Sequence, residues 1–225
     1  MRRILIMKKK TVFYIVFTLL LVGGFLFALT QVIPGFGEVK LPVLAYVQPF
    51  SFTNQAGQRV TEKDIAGKVY VAEYFFTTCK GICPKMNDNM KKIYGQYKNE
   101  KGFMILSHTV DPETDSVGRM KRYSDSLGVN TGNWWFLTGP KDSLYNAARV
   151  SYLLDDPKNN TEKIEDQFIH TQFFALVDKK SQVRKIYDGL KKEEIEELMK
   201  DIPRLLNEKA PAPTFVNSLF NNNPQ

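Results

Sequence analysis

Apolar and polar positions in this chain fall into two regimes, an unbroken hydrophobic stretch and then a long region of short periodic segments. From Val12 to Ala28 the chain is apolar apart from Thr18, Gly23 and Gly24, and no charge occurs between Lys10 and Glu38. At about 1.5 Å per residue, a helix over residues 11–33 spans a bilayer core of about 30 Å. After Pro34-Gly35-Phe36-Gly37 the pattern changes. Leu41 to Val47 and Ser51 to Val60 read as strand pieces, the second turning at Asn54-Gln55-Ala56-Gly57 as a hairpin. Thr61 with Asp64 resembles a helix start.

The run Val69-Tyr70-Val71-Ala72-Glu73-Tyr74-Phe75-Phe76 is rich in β-branched and aromatic residues and predicts a buried strand. Pro84 suits the first position of a helix, and Met86, Met90, Ile93, Tyr94 and Tyr97 continue it at helical spacing. A second apolar strand, Phe103 to Val110, ends in the loop signal Asp111-Pro112-Glu113-Thr114-Asp115, after which Ser116 can cap a helix to about Leu127. Trp134 to Leu137 predicts a third strand, followed by Thr138-Gly139-Pro140 and a helix to about Val150. Beyond the polar loop from Asp155 to Thr161, Phe168 to Val177 and Val183 to Tyr187 predict a hairpin. A closing helix runs from Lys191 to about Asn207, and the Pro/Asn-rich end from Ala210 predicts a mobile tail.

Strands alternating with helices, then a hairpin and a helix, describe an α/β domain with a central mixed sheet. With 225 residues and 43% hydrophobic content, the chain can build one domain of about 150 to 170 residues plus appendages. The expected organisation is a basic segment over residues 1–10, an anchor over 11–33, a linker over 34–47, the folded domain over 48–208 and the tail over 209–225. The formal charge of +7 adds little to this picture, because Arg2, Arg3, Lys8, Lys9 and Lys10 supply five of those charges. About +2 is left for the rest, which argues against nucleic-acid binding. The basic cluster belongs on the cytoplasmic side of a membrane, so the domain is expected on the periplasmic or outer side of the inner membrane. A cleaved signal peptide is the alternative, and it places the domain outside the cytoplasm as well.

The chain's two cysteines lie in Cys79-Lys80-Gly81-Ile82-Cys83-Pro84, where a strand hands over to a helix. Such a pair can close a local disulfide, or bind a soft metal such as Cu(I) or Zn as thiolates. The helix N-terminus and the neighbouring Lys80 both favour a thiolate. A purely structural bridge is the bland alternative, but closing so short a loop removes little denatured-state entropy. His170 is a lone histidine beside Phe168, Phe173 and Phe174, an environment that also suits an ordinary core residue. His108 alternates with Met104 and Leu106 and points with them into one packed face. Asp111 and Glu113 can support a site or simply start a turn.

Taken together, these motifs resemble the Sco/SenC family of membrane-anchored, thioredoxin-like copper proteins. Its Cys-x-x-x-Cys-Pro is similar to Cys79 to Pro84, and its Asp-Pro-Glu loop to Asp111-Pro112-Glu113. Its late histidine is similar to His170 ahead of Ala175-Leu176-Val177-Asp178, and its Trp-x-x-Leu-Thr-Gly to the segment ending Leu137-Thr138-Gly139. The resemblance covers roughly residues 48 to 190 in the right order. It implies a thioredoxin-like fold and a Cu(I)/Cu(II) site made by Cys79, Cys83 and His170, a donor set that suits copper in both states. It further implies a role in assembling the binuclear copper centre of cytochrome c oxidase subunit II, or its copper-site precursor, with a thiol reductant keeping the cysteines reduced.

The chain departs from the family at Thr114, where Arg is frequent, and at Ile169, where an acidic residue commonly precedes the histidine. A supporting carboxylate is then expected from Asp111, Glu113 or Asp166. Two other functions remain open at this level. One is a thiol-disulfide oxidoreductase for a dedicated partner, using Cys79 and Cys83 as the redox pair. The other is an extracytoplasmic redox or copper sensor.

Overall fold

The computed structural model describes residues 9–32, 40–129, 132–156, 158, 169 and 171–208. Two units emerge, one ending at Leu41 and one beginning at Pro42. The first contains helix α1, Lys9–Val32, in which Lys9–Leu29 is long and apolar enough to cross a membrane. Val12 to Phe27 includes a run of large apolar side chains that are mostly half or more exposed, as expected of a helix whose apolar surface meets lipid. This N-terminal apolar helix is a candidate membrane anchor.

The second unit is built on one eight-stranded mixed sheet with the order β1-β8-β7-β4-β5-β6-β2-β3. Its strands are β1 Ala45–Tyr46, β2 Ser51–Asn54, β3 Arg59–Thr61, β4 Val69–Phe75, β5 Phe103–Thr109, β6 Trp134–Thr138, β7 Phe173–Val177 and β8 Gln182–Asp188. Its helices are α2 Cys83–Tyr97, α3 Val117–Ser126, α4 Lys141–Asn146 and α5 Lys192–Asn207. A single π-type turn, Ala147–Ser151, extends α4. Residues 42 to 47, expected as the end of a linker, run beside the sheet, and β1 pairs with β8 through Ala45 and Val183. The hairpin strand expected from Phe168 begins at Phe173. Ser116 does stand at the start of α3, but its hydroxyl makes no capping bond.

β4, β5 and β6 are parallel, and β4 and β5 are buried along all seven of their residues. Central parallel strands are covered on both faces, which explains their near-continuous apolar sequence. One face carries Tyr70, Ala72, Tyr74, Met104 and Leu106 against Leu144, Tyr145, Ala148 and Tyr152 of the α4 region. The opposite face carries the alternate residues, with Phe75 stacked on Tyr123 of α3 and Trp134 packed on Tyr94 of α2. Tyr97 of α2 donates to the Met199 carbonyl of α5 at 2.6 Å, which joins those two helices on that face.

The cysteine-bearing helix is anchored toward β8 as well. Asn89 donates to the Gly189 carbonyl at 2.7 Å. A Cβ at Gly189 would lie 2.7 Å from the Gln172 carbonyl oxygen and 2.8 Å from the Phe174 ring, so only glycine allows this approach. Consequently the start of α2 sits over the carboxyl ends of β4 and β5, the end of an open α/β sheet at which ligands usually bind.

Candidate metal centre

β4 ends at Phe75, and the chain then turns, with the Cys79 N–H donating to the Phe76 carbonyl at 3.2 Å. Ile82 occupies the cap of α2 without a side-chain capping bond, and Pro84 follows in the first turn. The leading N–H groups of a helix lack internal partners, and here they are left for the thiols. Both cysteines are free: Cys79 is half-buried, whereas Cys83 is only 4% exposed.

The two thiols differ sharply. Burial alone raises Cys79, but a hydrogen bond from Cys83 and backbone N–H bonds from Cys83, Gly81 and Ile82 outweigh it, so its pKa falls below the ordinary thiol value. Burial pushes Cys83 up to about 12, and donation of its proton toward Cys79 adds to the rise. Lys80 is exposed, and the lowering at Cys79 comes chiefly from directed N–H and S–H groups and not from the ammonium expected from the sequence. The result is an outward thiol that ionises more readily than usual and an inward one that resists ionisation, hydrogen-bonded to each other.

A buried carboxyl lies in the sheet below. Glu73 of β4 is fully buried, and burial raises its pKa from 4.5 to about 7 despite a hydrogen bond from Ser107. Ser107 Oγ donates to Glu73 Oε1 at 2.6 Å and accepts from Trp134 Nε1 at 2.9 Å. Glu73 Oε2 has no hydrogen-bond partner among the described residues. The Glu73 charge is one of the influences that raise Cys83 and Tyr123, which places all three groups in one electrostatic neighbourhood.

A second buried carboxylate, Asp115, accepts from Thr77 N at 3.1 Å, from the Thr77 hydroxyl, and from Thr109 Oγ1 at 2.6 Å. Asp111 instead serves its own turn: its carboxylate accepts from Thr114 N at 3.3 Å and its carbonyl from Asp115 N at 2.9 Å. Glu113 is exposed. Sequence reasoning passes over both Glu73 and Asp115. The readable signals are a carboxylate inside an otherwise apolar strand, and threonines at two strand ends that converge only after folding.

His108 lies on the other face of the sheet. Its ring stacks on Tyr74 at 5.0 Å, meets Phe52 edge-on at 5.6 Å and packs near Tyr152 at 5.1 Å. Burial lowers its pKa to about 4, so it is neutral in this aromatic cage. The packed-face expectation for His108 therefore matches its surroundings. His170 and Asp166 lie outside the described residues. Among the described residues no three His, Cys, Asp or Glu side chains gather as a metal cluster, so the cysteine pair contributes two sulfurs there. Ile169 and Thr171, which flank position 170, are buried. The Tyr145 hydroxyl receives the Ile169 N–H and donates to the Val110 carbonyl at 2.8 Å, tying Ile169 to the end of β5.

Residues 40–207 match the family model described as SCO1/SenC. The SCO1 protein homolog of Bacillus subtilis (strain 168) is 32% identical over 169 residues, covering 73% of this chain and 85% of that one. The solved structure of BsSco, described as a member of the Sco family of cytochrome c oxidase assembly proteins with a disulfide switch, is 30% identical with a TM-score of 0.64. That likeness covers 76% of this chain and 99% of BsSco. Yeast Sco1 with copper bound is 22% identical with a TM-score of 0.58, over 76% of this chain and 99% of its own, and speaks for the fold alone. The chain belongs to the SCO1/SenC family, and its domain has the thioredoxin-like fold of that family.

Proposed function

We propose that this SCO1/SenC protein is a membrane-anchored copper carrier that assists assembly of the binuclear copper centre of cytochrome c oxidase. Cys79, Cys83 and His170 are the proposed ligands. The observation that carries this reading is the pair of free, mutually hydrogen-bonded thiols at the mouth of α2. Two thiolates satisfy soft Cu(I), and an imidazole extends the site to Cu(II). Copper loading must expel the Cys83 proton, because only a thiolate is a strong ligand. The tie between Ile169 and Val110 supports the histidine assignment, since it brings the flank of position 170 to the sheet end where the cysteines lie. The family of cytochrome c oxidase assembly proteins to which BsSco belongs supports the destination. With the basic N-terminal segment in the cytoplasm, α1 anchors the domain on the periplasmic or outer side of the inner membrane.

Cu(I) titration of the full chain in detergent tests this, in parallel with Cys79→Ser, Cys83→Ser and His170→Ala. One copper per chain is expected, lost with either cysteine variant and weakened by at least about tenfold without the histidine. Undiminished binding in His170→Ala refutes the three-ligand site.

The inequality of the thiols favours a second reading, reduction of a disulfide in a dedicated partner. The Cys79 thiolate attacks one partner sulfur, and the other leaves as a thiolate that takes up a proton. Cys83 then gives up its proton and attacks the Cys79 sulfur, which closes the Cys79–Cys83 disulfide and frees the second partner thiol. Two electrons pass to the partner, and an external thiol reductant restores the pair.

A further inference from the structure

We propose that Asp115 is a positioning residue for the cysteine loop, acting through Thr77 to hold Cys79 in its dithiol geometry. This rests on the reading of Cys79 and Cys83 as working thiols, whether for metal or for electrons. Asp115 is fully buried and meets Thr77 twice, at the main-chain N–H and at the hydroxyl. On its other side the Thr77 hydroxyl accepts from Arg119 Nε at 2.7 Å. Thr77 is thus clamped between a carboxylate on the loop after β5 and a guanidinium on α3. A threonine held by three hydrogen bonds at the exit of a strand has little freedom left in either backbone or side chain.

The stretch between Thr77 and α2 is loosely held by comparison. Thr78, Lys80, Gly81 and Ile82 are exposed or half-buried, and the next buried residue is Cys83 at the start of α2. Cys79 therefore sits on a short span fastened at Thr77, at its own N–H on the Phe76 carbonyl and at Cys83. The N–H groups of Gly81, Ile82 and Cys83 converge on its sulfur. Where that sulfur lies relative to those N–H groups depends on where the span begins, and Asp115 sets that point.

A carboxylate is an expensive choice for a buried anchor, because an ionised group taken out of water costs several kcal/mol unless it is fully hydrogen-bonded. Asp115 offers two acceptor oxygens to three donors, an arrangement that an amide with one acceptor oxygen cannot reproduce. Closing the Cys79–Cys83 disulfide must bring the sulfurs to about 2.05 Å and draws the loop toward α2. The clamp opposes that movement, so it favours the dithiol over the disulfide.

The test is the disulfide equilibrium of the full chain in detergent, set by mixtures of reduced and oxidised glutathione and read by differential alkylation and mass spectrometry. Asp115→Asn and Thr77→Val are expected to shift the equilibrium toward the disulfide by about tenfold, equivalent to about 30 mV for two electrons. Thr77→Ser keeps the hydroxyl and is expected to stay within about twofold of the parent. Thr109→Val removes the other hydroxyl donor of Asp115 without touching the cysteine loop. It should lower the urea midpoint yet leave the thiol equilibrium in place, separating positioning from plain stability. If Asp115→Asn does not fold, the Thr77 pair decides the matter alone. An unshifted equilibrium in Thr77→Val, or an equal shift in Thr77→Ser or Thr109→Val, overturns the proposal. The assay contains no copper, so its outcome is separate from that of the Cu(I) titration.

Discussion

Replacing Glu73 with glutamine should make the protein more stable in a pH-dependent way. The folded state holds the Glu73 carboxyl at about 7, against an ordinary value of 4.5. Below pH 4.5 the acid is protonated whether the chain is folded or not, and its ionisation does not affect stability. Between 4.5 and 7 the unfolded chain releases the proton first, so the folded state loses stability as pH rises. At about 1.4 kcal/mol per pKa unit, the full penalty above pH 7 is on the order of 3 kcal/mol. Glutamine keeps an oxygen for the Ser107 hydroxyl and leaves an unpaired donor where protonated Glu73 has one, so the two side chains are nearly equivalent in acid.

Urea unfolding of the reduced full chain in detergent at pH 5, 6, 7 and 8 checks this. At a slope of about 1 to 3 kcal/mol per molar, the midpoints of variant and parent should separate by about 1 to 3 M at pH 8 and by only about a quarter of that at pH 5. Cys83 and Tyr123, the neighbours that feel the Glu73 charge, are both raised and stay neutral over this range, so they do not mimic the effect. Other titrating groups cancel in the difference. A stability difference that is constant from pH 5 to pH 8 refutes the reasoning.

Iodoacetamide at pH 7 should modify Cys79 first and spare Cys83, because one thiol is lowered and accessible while the other is raised and buried. In Cys83→Ala the S–H donor is lost, and Cys79 labelling should slow by about threefold or more; faster labelling contradicts the assigned donor direction. His108→Phe should protect the protein against acid. The folded state lowers His108 from 6.5 to about 4, so the parent loses stability as pH falls from about 6.5 toward 4, by on the order of 3 kcal/mol. The variant should lack that loss and bind Cu(I) within about twofold of the parent; a tenfold loss of copper affinity would bring His108 into the site.

Much of the architecture can be read from periodicity. β4 and β5 announce themselves by β-branched and aromatic runs, α2 by Pro84 and its apolar spacing, and the pairing of β7 with β8 by the polar turn between them. The two-residue β1 is hidden, because so short an edge strand carries no period. In the cysteine segment the sequence shows two thiols at a strand-to-helix junction. It points to the helix N-terminus and Lys80 as their activators, whereas the folded loop uses N–H groups and the partner thiol without the ammonium.

The α/β class, the apolar N-terminal helix and the place of Cys79 and Cys83 at the mouth of a helix are all legible in the chain, since they arise from local pattern and spacing. Folding settles which thiol is lowered and which raised, which face holds His108, and that Cys83 feels the Glu73 charge while Asp115 binds Thr77. Those outcomes depend on strand order, on which face each alternate residue turns to, and on how deeply each group is removed from water. They arise between residues distant in the chain, and no local pattern encodes them.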